Sequence, residues 1–251
     1  MDNKNNGSIK KWKPSNFTLE TNSVWSFPER GNWATHDYEY RGNWSPYIPR
    51  NIILRYSNEH DWVLDQFAGG GTTLVEAKLL HRNVIGVDVN DIALSRCRDK
   101  CSFEWKNAGK VVIKKGDARS LDFIPSSQID LICMHPPYAN IIKYSEDIAN
   151  DISLCDIEEF LSQMTFVAEE SYRVLKKGKF CAILIGDMRK YGSVVPLGFR
   201  IMSLFESAGF KLKETIIKYQ HNCRSSDTWA EKSIQRNFLL LAHEYLFVFR
   251  K

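Results

Sequence analysis

Two periodicities alternate along most of the chain. Short apolar runs of strand type fall at residues 62–66, 84–88, 111–114, 129–134 and 180–185. Between them lie stretches with apolar residues three and four apart, at 72–82, 92–106, 157–175 and 196–208. In the third stretch Phe160, Leu161, Met164, Val167 and Ala168 fall on one side, which is helical spacing. The run Phe180–Ile185 is apolar throughout, as expected of a strand covered on both faces. Residues 211–219 and 238–249 read as a closing strand pair. Alternation of this kind predicts an α/β layer fold around a mainly parallel sheet. Ligands then bind at the carboxyl ends of the strands.

The first 50 residues break the pattern. They hold four of the seven tryptophans, Trp12, Trp25, Trp33 and Trp44, punctuated by Pro14, Pro28, Gly31, Gly42, Pro46 and Pro49. This reads as an irregular arm (1–50) ahead of a catalytic domain (51–251), with a short helix at about 49–57.

Length and composition narrow the classes. A chain of 251 residues with 43% hydrophobic and 25% charged residues is a globular domain, not a coiled coil or a disordered tail. No apolar run approaches the ~18 residues of a membrane span, and the polar start lacks the apolar segment of a secretory leader. The expected setting is the cytoplasm of a prokaryotic cell, with no membrane partner. None of the six cysteines forms a Cys-x-x-Cys pair, so reduced thiols and no metal are expected. A net charge of +4 permits a nucleic-acid partner without requiring one.

Chemistry concentrates at strand ends. Asp65-Gln66-Phe67-Ala68-Gly69-Gly70-Gly71-Thr72-Thr73 follows one strand and opens a helix. Glycines there allow a tight turn and close approach of a ligand. Asp88 ends the next strand, 17 residues after Gly71, near the offset that suits an acid on ribose hydroxyls. Asp117 ends the third strand and is placed to meet an adenine amino group. Neither the dinucleotide nor the Walker pattern is satisfied: Leu74 stands in place of the last glycine, and no Lys-Ser/Thr follows the turn. The fourth strand ends in His135-Pro136-Pro137-Tyr138. Two prolines stiffen the backbone and hold the residue before them extended. The His135 side chain and the Pro136 carbonyl can then accept both N–H bonds of a planar amine while Tyr138 stacks on its ring. An isolated turn of this sort is more often a plain turn with a packed tyrosine; its place on the fourth strand of a nucleoside-binding sheet favours the functional reading.

These two motifs carry a resemblance. VLDQFAGGGTT resembles the D-P-F-x-G-x-G-T-T cofactor motif of the DNA amino-methyltransferases, and HPPY resembles their [D/N/S]-P-P-[Y/F/W] catalytic motif. Trp44-Ser45-Pro46-Tyr47-Ile48-Pro49-Arg50-Asn51 is similar to the family segment that helps hold the methionine end of S-adenosylmethionine, and RVLKKGK to the turn before the fifth strand of many methyltransferases. The likeness covers about residues 44–250. It implies a Rossmann-like class I methyltransferase fold with a seven-stranded, mainly parallel sheet and an antiparallel closing pair. It implies S-adenosylmethionine held by Asp65, Phe67, Gly69, Gly71, Thr72, Asp88, Asp117, Ser45 and Pro46. It also implies methyl transfer to the exocyclic amine of a flipped base, cytosine N4 or adenine N6, by His135, Pro136, Pro137 and Tyr138. Gln66 replaces the usual proline. His135 replaces the usual Asp, Asn or Ser; an uncharged first residue tilts the choice towards cytosine. No long target-recognition insert is present.

A neutral His135 is required if it is to accept a hydrogen bond, so activity is expected to fall as pH drops through its pKa, about 6.5 if unperturbed. Arg41 and Arg50 in the arm, and Gln220, Asn222, Arg224 and Trp229 near the closing strands, are candidate DNA contacts, since Arg, Gln and Asn pair with base edges. The basic, aromatic arm is also compatible with a homodimer, and a partner restriction subunit is a further expectation. Two other readings stay open. One is an RNA enzyme resembling tRNA guanosine-N2 methyltransferases, and the other is a non-catalytic subunit of a methyltransferase complex.

Overall fold

The computed structural model describes residues 9, 11–221 and 226–251, with backbone only at 226–228. In chain order the elements are β1 (Val24–Ser26), α1 (Tyr47–Tyr56), β2 (Trp62–Asp65), α2 (Thr72–Leu79), β3 (Asn83–Asp88), α3 (Asp91–Lys100), β4 (Val111–Lys115) and β5 (Ile129–Met134). They continue with α4 (Ile157–Val174), β6 (Leu175–Ile185), β7 (Met188–Lys190), β8 (Ser193–Val195), α5 (Leu197–Ser207), β9 (Lys211–Tyr219), α6 (Ser226–Gln235) and β10 (His243–Arg250).

The main sheet runs β4-β3-β2-β5-β6-β10-β9-β1. Strands β2 to β6 pair in parallel, and β10 runs antiparallel between β6 and β9. The seven expected strands are all present. An eighth comes from the arm: β1 adds to the edge of β9 in parallel, with Trp25 opposite Lys218. A separate hairpin, β7–β8, follows β6.

Alternation along the central strands explains the layering. In β6, Cys181, Ile183 and Ile185 face the cluster beneath α4 and α5, where Phe160, Met164, Ile201 and Phe205 are packed. Ala182 and Leu184 face the other side, against Ile48, Ile52 and Ile53 of α1 and Leu74 and Val75 of α2. Strand β10 splits likewise, Phe247 and Phe249 to one face and Leu246 and Val248 to the other. Both faces are dry, so a continuous apolar run is the stable choice.

The arm belongs to this packing. Trp25, Trp33 and Trp44 are buried in the same cluster as α1 and α2. Helix α1 straddles residue 50, where the arm was expected to end. Glu76 of α2, fully buried, anchors the arm: Trp33 Nε1 and His36 Nε2 lie 2.7 and 2.8 Å from Oε1, and Arg50 donates to Oε2 at 2.8 Å.

Three sequence expectations shift. Helix α3 stops at Lys100 rather than 106 because tertiary contacts take over the next turn. Lys78 Nζ donates to the Cys101 carbonyl at 2.7 Å and to that of Phe103, while the Phe103 and Trp105 rings turn in to meet Trp12. The closing strand begins at His243 rather than 238, and part of the segment expected to be loop between the closing strands is α6.

Candidate active site

The glycine turn joins β2 to α2. Gly71 is the N-cap of α2 with φ +81°, a conformation an L side chain resists, and a Cβ there would crowd Cys97. Preceding it, the Gly69 N–H donates to Asp88 Oδ2 at 2.8 Å and the Asn90 N–H to Asp88 Oδ1 at 2.9 Å. Two backbone donors thus orient Asp88 at the end of β3. A carboxylate has about four lone-pair sites, so acceptor capacity remains for a ligand. Burial raises its pKa, opposed by those donors.

A cavity opens over these strand ends. Asp65, Phe67, Gly69, Thr72, Asp88 and Asp117 line it, six of the nine residues expected to hold a cofactor. Asp65 is buried and pushed up to about 7 by desolvation; its Oδ1 receives the Phe67 N–H at 3.0 Å. Gly71 shapes the turn without lining the cavity. Ser45 and Pro46 are also outside its wall. Ser45 Oγ donates to the Arg30 carbonyl at 2.7 Å and faces a second pocket, and Pro46 caps α1. Trp44 of that segment and, just before it, Tyr40, Gly42 and Asn43 form the wall instead. Asn43 Nδ2 is buried and, among the described residues, has no hydrogen-bond partner. Asp117, expected to meet an adenine amino group, lines the cavity and is held by Arg119: Oδ1 receives the Arg119 N–H at 2.9 Å, Nε is shared between Oδ1 and Oδ2 at 2.9 and 3.1 Å, and a terminal nitrogen reaches Oδ2 at 2.5 Å, so three donors leave about one acceptor site.

Residues without a sequence signal complete the cavity. Tyr144 stacks on Tyr40 with centroids 6.0 Å apart, and its carbonyl accepts from Asn90 Nδ2 at 3.1 Å. Gln66, in the position usually held by proline, is buried between layers. It donates to the Ala118 carbonyl at 3.2 Å and accepts from Ser171 Oγ of α4 at 2.8 Å. That pair holds the Gly116–Arg119 loop against the sheet.

The second pocket adjoins the first. Gly42, Asn43, Trp44, His135, Pro137 and Tyr144 line both, while Pro136, Tyr138, Gln220, Lys218 and Glu244 line the second alone. His135 stacks on Trp44, 5.5 Å between centroids and 22° between planes. Its Nε2 is 2.9 Å from Tyr138 Oη. Tyr138 in turn donates to Glu244 Oε1 at 2.7 Å, and Lys218 Nζ donates to Glu244 Oε2 at 2.9 Å. A Cβ on Gly186 would lie 3.0 Å from Tyr138 Cε2, so the tyrosine approaches where only glycine leaves room.

The electrostatics show that His135 is perturbed. Burial drives the His135 imidazole down to about 4; Glu244 opposes this, and Lys218 and Arg30 reinforce it. His135 is therefore neutral well below pH 6.5. Burial and Glu244 push the Tyr138 phenol well up, so it stays protonated. Burial opposes the charge on Glu244, yet Lys218, His135 and the Tyr138 hydroxyl hold it below the usual carboxylate range.

The nucleic-acid candidates divide. Arg50 is buried at 7% exposure in its ion pair with Glu76 and does not face solvent as a DNA contact must. Arg41 is exposed. Gln220 lines the second pocket. Trp229 on α6 is 45% exposed with Lys232 Nζ 4.8 Å from its ring centroid. Asn222 and Arg224 lie outside the described residues. Among the described residues no group of three His, Cys, Asp or Glu side chains is placed to hold a metal ion, and no helix is long and apolar enough to cross a membrane.

This geometry meets an independent finding. A family model described as DNA methylase, of N6/N4 type, matches residues 2–95 and 129–251, most of the chain. The chain belongs to this DNA methylase family. Among relatives, type II methyltransferase M.BglII of Bacillus subtilis is 32% identical over 95 residues, covering 38% of this chain and 24% of its own length. Type II methyltransferase M.MjaVI of Methanocaldococcus jannaschii is 28% identical over 126 residues, 50% of this chain and 62% of its own length. The chain thus spans less than two thirds of either relative. A solved SAM-dependent methyltransferase of Methanosarcina mazei superposes with a TM-score of 0.57 at 16% identity, covering 80% of this chain and 96% of that one. At that identity the likeness is one of fold.

Proposed function

We propose that this DNA methylase transfers a methyl group from S-adenosylmethionine to the exocyclic amine of a base flipped out of duplex DNA. Cytosine N4 is favoured over adenine N6. The observation that carries the reading is the shared wall: the cavity under Asp88 and the pocket beside Glu244 meet at His135 and Pro137 of the HPPY turn.

The first cavity suits a nucleoside with a charged tail. Asp88 keeps acceptor sites for ribose hydroxyls, Phe67 offers an apolar wall, and the unpartnered Asn43 Nδ2 is a donor awaiting an acceptor. S-adenosylmethionine, when bound, supplies the electrophilic methyl group, and the chain supplies position.

In the second pocket the flipped base meets the rigid turn. Its amine is a poor nucleophile because the lone pair is delocalised into the ring. His135 and the Pro136 carbonyl accept the two N–H bonds, draw the nitrogen towards tetrahedral geometry and aim its lone pair at the first cavity. Alignment of this kind contributes up to about 7–11 kcal/mol in ideal cases. Flipping costs a few kcal/mol, and stacking on Tyr138 offsets roughly 1–3 of it. The neutral His135 resembles the uncharged acceptor of cytosine-type members more than the carboxylate of adenine-type members. Arg41, Gln220 and Trp229 are the DNA contacts of this reading. The setting is the cytoplasm of a prokaryote, alongside a restriction enzyme or a second copy.

Labelled S-adenosylmethionine incubated with genomic DNA and, separately, with total tRNA tests the reading. The modified nucleoside is then identified by mass. N4-methylcytosine in DNA is expected. N6-methyladenine would overturn the base choice, label in tRNA alone would overturn the substrate, and no label in either would overturn catalysis by this chain.

A further inference from the structure

The second pocket contains a charged pair that the transfer chemistry above does not use. Glu244, 7% exposed on β10, and Lys218 on β9 are direct cross-strand neighbours. Together they end a hydrogen-bonded chain that runs from Lys218 Nζ to Glu244, to Tyr138 Oη, to His135 Nε2, with steps of 2.9, 2.7 and 2.9 Å.

The direction of each bond follows from the chemistry of its ends. Lys218 can only donate. An ionised carboxylate can only accept, so Tyr138 spends its one proton on Glu244. The phenol oxygen then has lone pairs and no proton left for His135. The imidazole must bring the proton to that contact, on Nε2. A neutral ring carrying hydrogen on Nε2 has its lone pair on Nδ1.

We infer that Glu244, held by Lys218, is a positioning residue of the methyl-transfer site: through the Tyr138 hydroxyl it fixes His135 as the tautomer with Nδ1 free to accept the target amine. This rests on the reading of His135 as that acceptor. Glu244 lies 106 residues from Tyr138 along the chain. It also gives the tyrosine two tasks, a ring face for the base and a hydroxyl for the relay. Trp44 stacked on His135 keeps the ring plane in place while the relay sets its protonation.

Glu244→Gln separates this from simple packing, because it keeps the shape and reverses the relay. Lys218 demands the amide oxygen, which turns the amide NH2 towards Tyr138. The hydroxyl must then donate to His135 Nε2, which moves the imidazole proton to Nδ1 and points hydrogen at the amine. The readout is the imidazole nitrogen spectrum of selectively labelled histidine, with S-adenosylmethionine affinity and single-turnover rate measured on the same samples. Hydrogen on Nε2 is expected in the unmodified protein and on Nδ1 in E244Q, with the rate down on the order of 10²-fold and cofactor affinity unchanged. In a Tyr138→Phe background, which removes the relay atom, E244Q should cost nothing further. Hydrogen on Nδ1 in the unmodified protein overturns the inference by itself, even if no variant folds. So does an unaltered tautomer in E244Q, or a full additional loss in the Tyr138→Phe background. If the tautomer switches as expected but the unmodified protein methylates no DNA, the functional reading fails and the relay stands.

Discussion

At the scale of single residues, the acceptor role proposed for His135 at the head of the PPY turn requires a neutral imidazole. Desolvation holds the imidazole down to about 4 against the pull of Glu244, with Lys218 and Arg30 adding to the depression. The neutral form is the accepting form, so a lowered pKa extends activity towards acid. Single-turnover rates should stay level from pH 8 to about 5 and fall only near pH 4; a fall centred at about 6.5, the ordinary histidine value, would show an imidazole open to water. Gly186 gives a second test. A Cβ there would press on the Tyr138 ring at 3.0 Å. Gly186→Ala should therefore lower turnover by roughly tenfold while leaving S-adenosylmethionine affinity unchanged, since the ring must give by a few tenths of an ångström where a misplacement of about 1 Å costs on the order of 10²-fold. The motif residues were legible in the sequence because strand-end chemistry is local. Glu244, Lys218 and Tyr144 were not, because they reach the site only through strand pairing and loop packing. Ser45 and Pro46 were placed by analogy of position, and a turn of chain there sends their neighbours Asn43 and Trp44 into the cavity instead.

At the scale of elements, the arm is a structural part of the sheet layer. Its strand β1 extends the edge beyond β9, and its tryptophans cover α1 and α2. Arg50 read as a DNA contact from charge alone; burial and the ion pair with Glu76 assign it to this anchor. Removing one partner of a buried ion pair costs about 3–5 kcal/mol. Arg50→Ala should lower unfolding free energy by that amount in a denaturant titration. Exposed Arg41 should behave in the opposite way. Arg41→Ala should leave stability within about 0.5 kcal/mol and reduce the slope of log affinity against log salt by about 1. Equal stability losses in the two variants would contradict this division. Strand–helix alternation predicted the seven framework strands. The arm strand and the β7–β8 hairpin escaped because three-residue strands carry no measurable period. Helix α3 was read too long because the aromatic contacts that end it come from the arm, far away in sequence.

At the scale of the whole molecule, sheet order does the assembling. The strands that end in Asp65, Asp88 and HPPY are adjacent, with β2 flanked by β3 and β5. Their carboxyl ends therefore put the first cavity beside the rigid HPPY turn, and β10, inserted antiparallel next to β6, delivers Glu244 from the far end of the chain. The central claim is that these are two functional compartments sharing one wall. Pre-steady-state methyl transfer to DNA, measured beside S-adenosylmethionine affinity in Tyr138→Ala and Asp88→Ala, tests it most directly. The rate should fall on the order of 10²-fold with normal cofactor affinity in Tyr138→Ala, and cofactor affinity should weaken with a near-normal rate at saturation in Asp88→Ala. Normal transfer by Tyr138→Ala, or normal cofactor binding by Asp88→Ala, would contradict it.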